Sequence, residues 1–160
     1  MATTSNVRIL HGGEDELSRV NYPVTIATSG TFARGDLMTF ETSTLKLVDN
    51  SNDNTVFVGV SNEYKESGDN YTANATVLNR CIIKIGCTSA TYGIHNALKY
   101  AAGANGTDWS VVVASSGADG IMWSLQYAAS AITTINALID VRLIGTALGS
   151  GTGIWEGFAS

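Results

Sequence analysis

VSNEYKESG, residues 60–68, and WSLQYAASA, residues 123–131, repeat one pattern sixty-three positions apart. Ser61 and Ser124, Tyr64 and Tyr127, and Ser67 and Ser130 fall in register, with Glu63 opposite Gln126. ALKYAAGA, residues 97–104, reads as a third echo. A tandem echo is the signature of a repeated structural unit rather than of a catalytic site. Extending both copies outward gives VFVGVSNEYKESGDNYTANATV and IMWSLQYAASAITTINALIDVRL. Each reads as an apolar strand, a small-residue connection containing Tyr, and a second strand, a unit used twice to build one small barrel. In the second copy SAITTIN reads as the loop between two strands.

Further strands are expected where β-branched and apolar residues cluster: VTIAT (24–28), DLMTF (36–40), TLKLV (44–48), TVFVGV (55–60), CIIKI (81–85), WSVVVA (109–114), IMWSL (121–125) and ALIDVRLI (137–144). Gly, Asn, Asp and Ser clusters such as DNSNDN (49–54), SGDN (67–70) and SGADG (116–120) stand between them as turns. The fold class is therefore all-β, a small antiparallel β-barrel or β-tulip-like domain with at most one short helix. The candidate helix is GIHNALKYAAGA (93–104), whose apolar spacing also suits a strand running into a turn.

Residues 1–20 differ from the rest, with a Thr/Ser-rich start, a Gly12-Gly13 break and an acidic run from Glu14 to Glu16. They read as an extended N-terminal arm with no ordered core element. Residues 21–145 form the barrel domain, and residues 146–160 a glycine-rich tail carrying Trp155 and Phe158.

The 160 residues can bury a core of their own, about 70% of the unfolded surface at this size. Charged residues make up 14% and the net charge is -5. An acidic chain without a run of Lys or Arg is unsuited to neutralising phosphates, so no nucleic-acid partner is expected. The most apolar stretch, residues 132–144, is interrupted by Thr133, Thr134, Asn136, Asp140 and Arg142, so no membrane partner is expected either. The N-terminus lacks a basic segment followed by an apolar run, which predicts intracellular synthesis and makes the sequons at Asn70, Asn74 and Asn105 incidental. Cys81 and Cys87 lie six residues apart on one face of a predicted strand, roughly 20 Å, which favours two free buried thiols over a disulfide.

Little in the chain suggests chemistry. His11 and His95 are the two histidines, and neither has a Cys, Asp or Glu at metal-ligand spacing. Gly151-Thr152-Gly153 is followed by Glu156 where a dinucleotide-binding loop needs glycine, and no Lys completes a Walker loop. The Asp49 to Asp53 loop lacks the order of a calcium loop. Arg34-Gly35-Asp36 spells an adhesion tripeptide, but Gly35-Asp36 reads more simply as the turn that launches LMTF. No catalytic residue, metal or cofactor is expected.

TFARGDLMTFETSTLKLVDNSNDNTVFVGVSNEY and IMWSLQYAASAITTINALIDVRLIG resemble the head decoration, or capsid cement, proteins of tailed bacteriophages. The shared elements are Gly35-Asp36-Leu37, Val58-Gly59-Val60, the small-residue turn at 125–131 and Val141-Arg142-Leu143. The resemblance implies a structural virion protein that binds the outside of an assembled shell and stabilises it, with the major capsid protein as partner and self-association as trimer or dimer. It implies location on the capsid exterior after synthesis in the host cytoplasm. Thr88 to Ser116 is longer than the family pattern leads one to expect. The capsid-contact candidates are Val7, Ile9 and Leu10 in the arm, by strand addition, and Trp155 and Phe158 in the tail, by docking into a groove. The alternative is a carbohydrate-binding or receptor-contacting module of a virion, with Trp109, Trp123 or Trp155 stacking on sugars, although Trp109 and Trp123 lie in apolar runs that suit a core.

Overall fold

A computed structural model of the chain describes residues 7–12, 18–23, 32–41, 44–48, 57–64, 74–101, 110–115 and 120–141. The described part is all-β, with eleven strands: β1 (Arg8–Gly12), β2 (Arg19–Pro23), β3 (Leu37–Glu41), β4 (Thr44–Leu47), β5 (Phe57–Ser61), β6 (Asn74–Leu78), β7 (Arg80–Tyr92), β8 (Ala97–Tyr100), β9 (Ser110–Val113), β10 (Met122–Ser124) and β11 (Ala128–Asp140).

Two sheets share one topology. The first has the order β2-β6-β5-β3-β4, and the second β7-β11-β10-β8-β9, with β1 added outside β7. Strand by strand, β2 corresponds to β7, β3 to β8, β4 to β9, β5 to β10 and β6 to β11. The ladders agree in register as well as in order. Leu37 pairs with Val60 and Met38 with Gly59, as Ala97 pairs with Trp123 and Leu98 with Met122. Val60 pairs with Leu78 and Ser61 with Val77, as Trp123 pairs with Leu138 and Ser124 with Ala137. The repeat read in the sequence is therefore a five-stranded unit used twice, larger than the two-strand unit expected.

The second unit closes. β9 pairs with β7 in parallel, Gly86 opposite Ser110 and Cys87 opposite Val111, and completes a five-stranded barrel whose other pairings are antiparallel. Closure removes the free edges that invite association. In the first unit β2 and β4 approach each other but exchange no ladder pairs among the described residues.

Alternation along β7 shows how the core is built. Cys81, Ile83, Ile85 and Cys87 point inward and are buried, while Lys84 and Thr88 face solvent, the period of two that a half-buried strand requires. One apolar cluster lies within the first unit: Phe32, Met38, Leu45, Val58, Ala75 and Val77. The larger cluster fills the second barrel and also takes Leu37, Val48, Phe57, Val60 and Leu78 from the first unit, so the two units share a core. β5 is buried along its whole length because it serves both clusters. A bulge allows this: Val58 is extra between Phe57 and Gly59, which puts Phe57 and Val60 on the same face. Gly59 has φ +135°, and a Cβ there would lie 2.2 Å from the Leu78 carbonyl oxygen. Only glycine fits that approach.

Several sequence expectations are corrected. ALKYAA is not a helix or a third copy of the echo over its described part, because Ala97–Tyr100 is strand β8, the counterpart of LMTF. SAITTIN is not a loop. It belongs to the 13-residue β11, whose pairing with the equally long β7 outweighs its polar Thr-rich composition. The N-terminal segment is not free of ordered structure: β1 pairs antiparallel with β7, and Val7 enters the shared core. The described residues of the long stretch from Thr88 to Ser116 form the end of β7 with β8 and β9 of the second unit. β6 is the second strand expected at the end of the first copy, while β2 went unread because RVNYP mixes Arg, Asn and Pro with only two apolar residues. VTIAT, the Asp49 to Asp53 loop, Trp109 and the 146–160 tail lie outside the described residues.

Candidate functional site

The echo marks a corner that each unit builds in the same way. In the first unit the Ser61 hydroxyl accepts from the Glu63 backbone N–H (3.1 Å) and donates to the Glu63 carbonyl (2.9 Å). The Glu63 side chain then crosses to the next strand, where its Oε1 accepts from Thr76 N–H (3.1 Å). In the second unit Ser124 accepts from Gln126 N–H (3.4 Å) and donates to the Gln126 carbonyl (2.9 Å), and Gln126 Oε1 accepts from Asn136 N–H (2.9 Å). Carboxylate and carboxamide are interchangeable here because the contact uses only an acceptor oxygen.

The turn that leads into the second strand of each unit docks against this corner. Ala33 N–H donates to Asp36 Oδ2 (2.7 Å), and Gly93 N–H donates to Asn96 Oδ1 (2.6 Å). Gly35 N–H reaches the Ser61 carbonyl (2.9 Å), and His95 N–H the Ser124 carbonyl (2.8 Å). Both residues take a positive φ, +101° at Gly35 and +62° at His95. The same turn, closed by a side chain on the N–H three residues before it, therefore occurs twice with Asp in one copy and Asn in the other. Asp36 is fully buried, so Arg34-Gly35-Asp36 is a structural turn and its carboxylate is not displayed.

Immediately after each corner stands an exposed tyrosine, Tyr64 at 49% and Tyr127 at 70% exposure. Two residues before Tyr64, Asn62 Oδ1 accepts from Nε of exposed Arg34 (3.1 Å). The counterpart of Arg34 in the second turn is Ile94, itself exposed, followed by exposed His95.

The capsid-contact candidates are not brought together. Val7 is buried, Ile9 is half-buried against the shared core, and Leu10 is exposed on β1. Val7, Arg8 and Ile9 line one side of a shallow cavity of about 210 Å³ that Arg34 completes. Trp155 and Phe158 lie outside the described residues. Trp123 is buried in the shared core and cannot stack on a sugar.

Among the described residues, reactive side chains meet in a shallow cavity of about 240 Å³ at the far end of β1, lined by His11, Gly12, Ser18, Arg80, Cys81, Ile82 and Leu138. Burial pushes the Cys81 thiol up to about 12, the reverse of the lowered pKa a nucleophilic cysteine needs. Burial also raises Cys87, although a hydrogen bond with Tyr92 opposes the shift. Cys81 and Cys87 are both free thiols. Among the described residues no three of His, Cys, Asp and Glu come together as a metal site.

No protein-family model matches the chain, and no curated protein matches it in sequence. What the site offers is therefore read from its own geometry: two rigid corners, each presenting a tyrosine.

Proposed function

We propose that this chain is a structural protein that binds the outside of an assembled capsid and stabilises it, and that it is not an enzyme. The observation that carries the reading is the duplicated corner. The residues through which the chain resembles capsid cement proteins, Gly35-Asp36-Leu37 and Val58-Gly59-Val60, are the frame of the first corner and its bulge, and the frame is built again in the second unit. The polar side chains of the two corners are engaged in backbone contacts that hold surface turns in place, as a protein that works by presenting a surface requires. A low-charge exterior suits many weak contacts repeated over a lattice, where avidity and not any single interface sets the strength. The major capsid protein is the partner, and self-association as a trimer or dimer follows from threefold or twofold positions on such a shell.

The test is the copy number of this chain relative to the shell protein in purified particles of the virus that encodes it, by quantitative mass spectrometry. A simple ratio to the shell protein is expected. A few copies per particle would replace this reading with a tail or receptor-contacting role, and complete absence would end it.

A further inference from the structure

Three of the nine basic residues, far apart in sequence, converge at one place on the fold. Arg8 of β1 stands directly opposite Lys84 of β7 in the ladder, so the two side chains leave the sheet on the same side. Arg8 also lines the cavity of about 210 Å³ beside β1, which Arg34, from the turn that leads into β3, completes. All three side chains are exposed. Cross-strand neighbours of like charge repel, and in a chain with fourteen acidic residues an Asp or Glu would be the ordinary partner of such a pair.

No such partner stands here. Among the described residues neither Arg8 nor Lys84 has a carboxylate within ion-pair distance, in contrast to Arg80, whose Nε lies 3.7 Å from Asp140 Oδ2. Arg34 is held by a neutral acceptor, its Nε donating to Asn62 Oδ1 (3.1 Å). That bond orients the guanidinium without compensating its charge, and it leaves the terminal Nη groups as the fork that takes a carboxylate or a phosphate in two parallel bonds. Buried Val7 and half-buried Ile9 make the rest of the lining apolar, which limits the water that screens the charges.

We propose that this cavity is a binding site for an oxyanion, with Arg8 and Arg34 as its direct ligands and Lys84 as the cation that raises the local potential. The ligand class follows from the donors. Two guanidinium forks with an ammonium beside them suit the oxygens of a phosphate or a carboxylate, and no acceptor side chain lines the cavity to hold a cation. The proposal stands apart from the capsid reading, and neither depends on the other.

The experiment is a backbone-amide NMR titration of the full-length chain with inorganic phosphate and, in parallel, with malonate, at an ionic strength held constant with sodium chloride. Saturable shifts are expected at Arg8, Ile9 and Arg34. Arg8→Gln and Arg34→Gln should each raise the half-saturating phosphate concentration at least about tenfold, through loss of a charge-assisted fork. Lys84→Gln should raise it about threefold, through the potential alone. Arg80→Gln, whose charge is already paired, should leave it unchanged. Melting temperatures separate binding from structure: in chloride alone Arg8→Gln should melt no lower than wild type, because it relieves the repulsion with Lys84, while phosphate should raise the wild type's melting temperature and not the variant's. Saturation by phosphate alone upholds the site and assigns it a phosphoryl ligand; saturation by malonate as well upholds it and extends it to carboxylates. Shifts that grow without saturating, or that follow ionic strength and not the anion, overturn the proposal. Saturable binding that survives in the Arg8→Gln, Arg34→Gln double variant overturns it too.

Discussion

At the scale of single residues, the second unit serves as a natural set of substitutions for the first. Glu63→Gln installs the residue that occupies the same corner at 126, so its midpoint in urea should stay within about 0.5 kcal/mol of wild type. Glu63→Ala leaves Thr76 N–H without its acceptor and should cost about 1–2 kcal/mol in the same titration. His95 holds a φ that Gly35 takes without steric penalty in the matching turn, so His95→Gly should stabilise the fold, or at worst be neutral, by up to about 1 kcal/mol. Gly59→Ala drives a methyl into the Leu78 carbonyl and should cost about 3 kcal/mol or prevent folding, read by the yield of soluble protein and its melting temperature. The buried thiol gives a pH dependence. Above the ordinary thiol pKa of 9.0 the unfolded chain loses the Cys81 proton, while the folded chain keeps it until about pH 12. The unfolded state then binds fewer protons, so stability falls as pH rises through that window. Cys81→Ala should flatten the fall, and an equally steep decline in that variant would assign it to other groups.

At the scale of elements, the legible parts of the fold were those whose sequence pattern and tertiary role agree. β3, β4, β5, β9 and β10 stood out as apolar runs bounded by turn residues, and the echo at 60–68 and 123–131 located the corners correctly. The unread parts depend on a partner strand. β11 keeps only every second residue inward over its latter half, and its first half is mostly exposed, so local composition says loop while pairing with β7 says strand. β1 has the same character: exposed at Arg8, Leu10 and His11, it is a strand because the part of β7 from Cys81 to Lys84, which β9 does not pair with, offers an edge. The candidate site was half legible. Tyr64 and Tyr127 were visible as matched letters, but exposure is set by how the corners fold, which three identities in nine residues cannot convey. Deleting residues 1–12 should accordingly lower the melting temperature by about 5–10 °C, from the loss of Val7 burial and the β7 edge pairing. An unchanged melting temperature would mean that the strand contributes nothing to the core.

At the scale of the whole molecule, duplication has not produced two independent bodies. Phe57 of the first unit meets Tyr100 of the second edge to face at 6.3 Å between ring centroids, within the cluster that both units fill. Unfolding should therefore be a single cooperative transition, with calorimetric and van't Hoff enthalpies equal; two resolved transitions would show that the units separate. Strands distant in sequence must find one another before any of this forms, which places folding in the slow, millisecond-to-second range of all-β domains.

β7 lies between β1 and β11, and both neighbours run opposite to it. The chain enters this triplet at Arg8, beside Lys84, and leaves it at Asp140, beside Arg80, so the start of the first strand and the end of the last point in opposite directions along the N-terminal part of β7. Tension between those two points pulls along the strands and loads both ladders in shear, all rungs at once, instead of peeling them one rung at a time. The triplet is thus a molecular rope splice, stiffest in the direction in which its own two ends would be drawn apart.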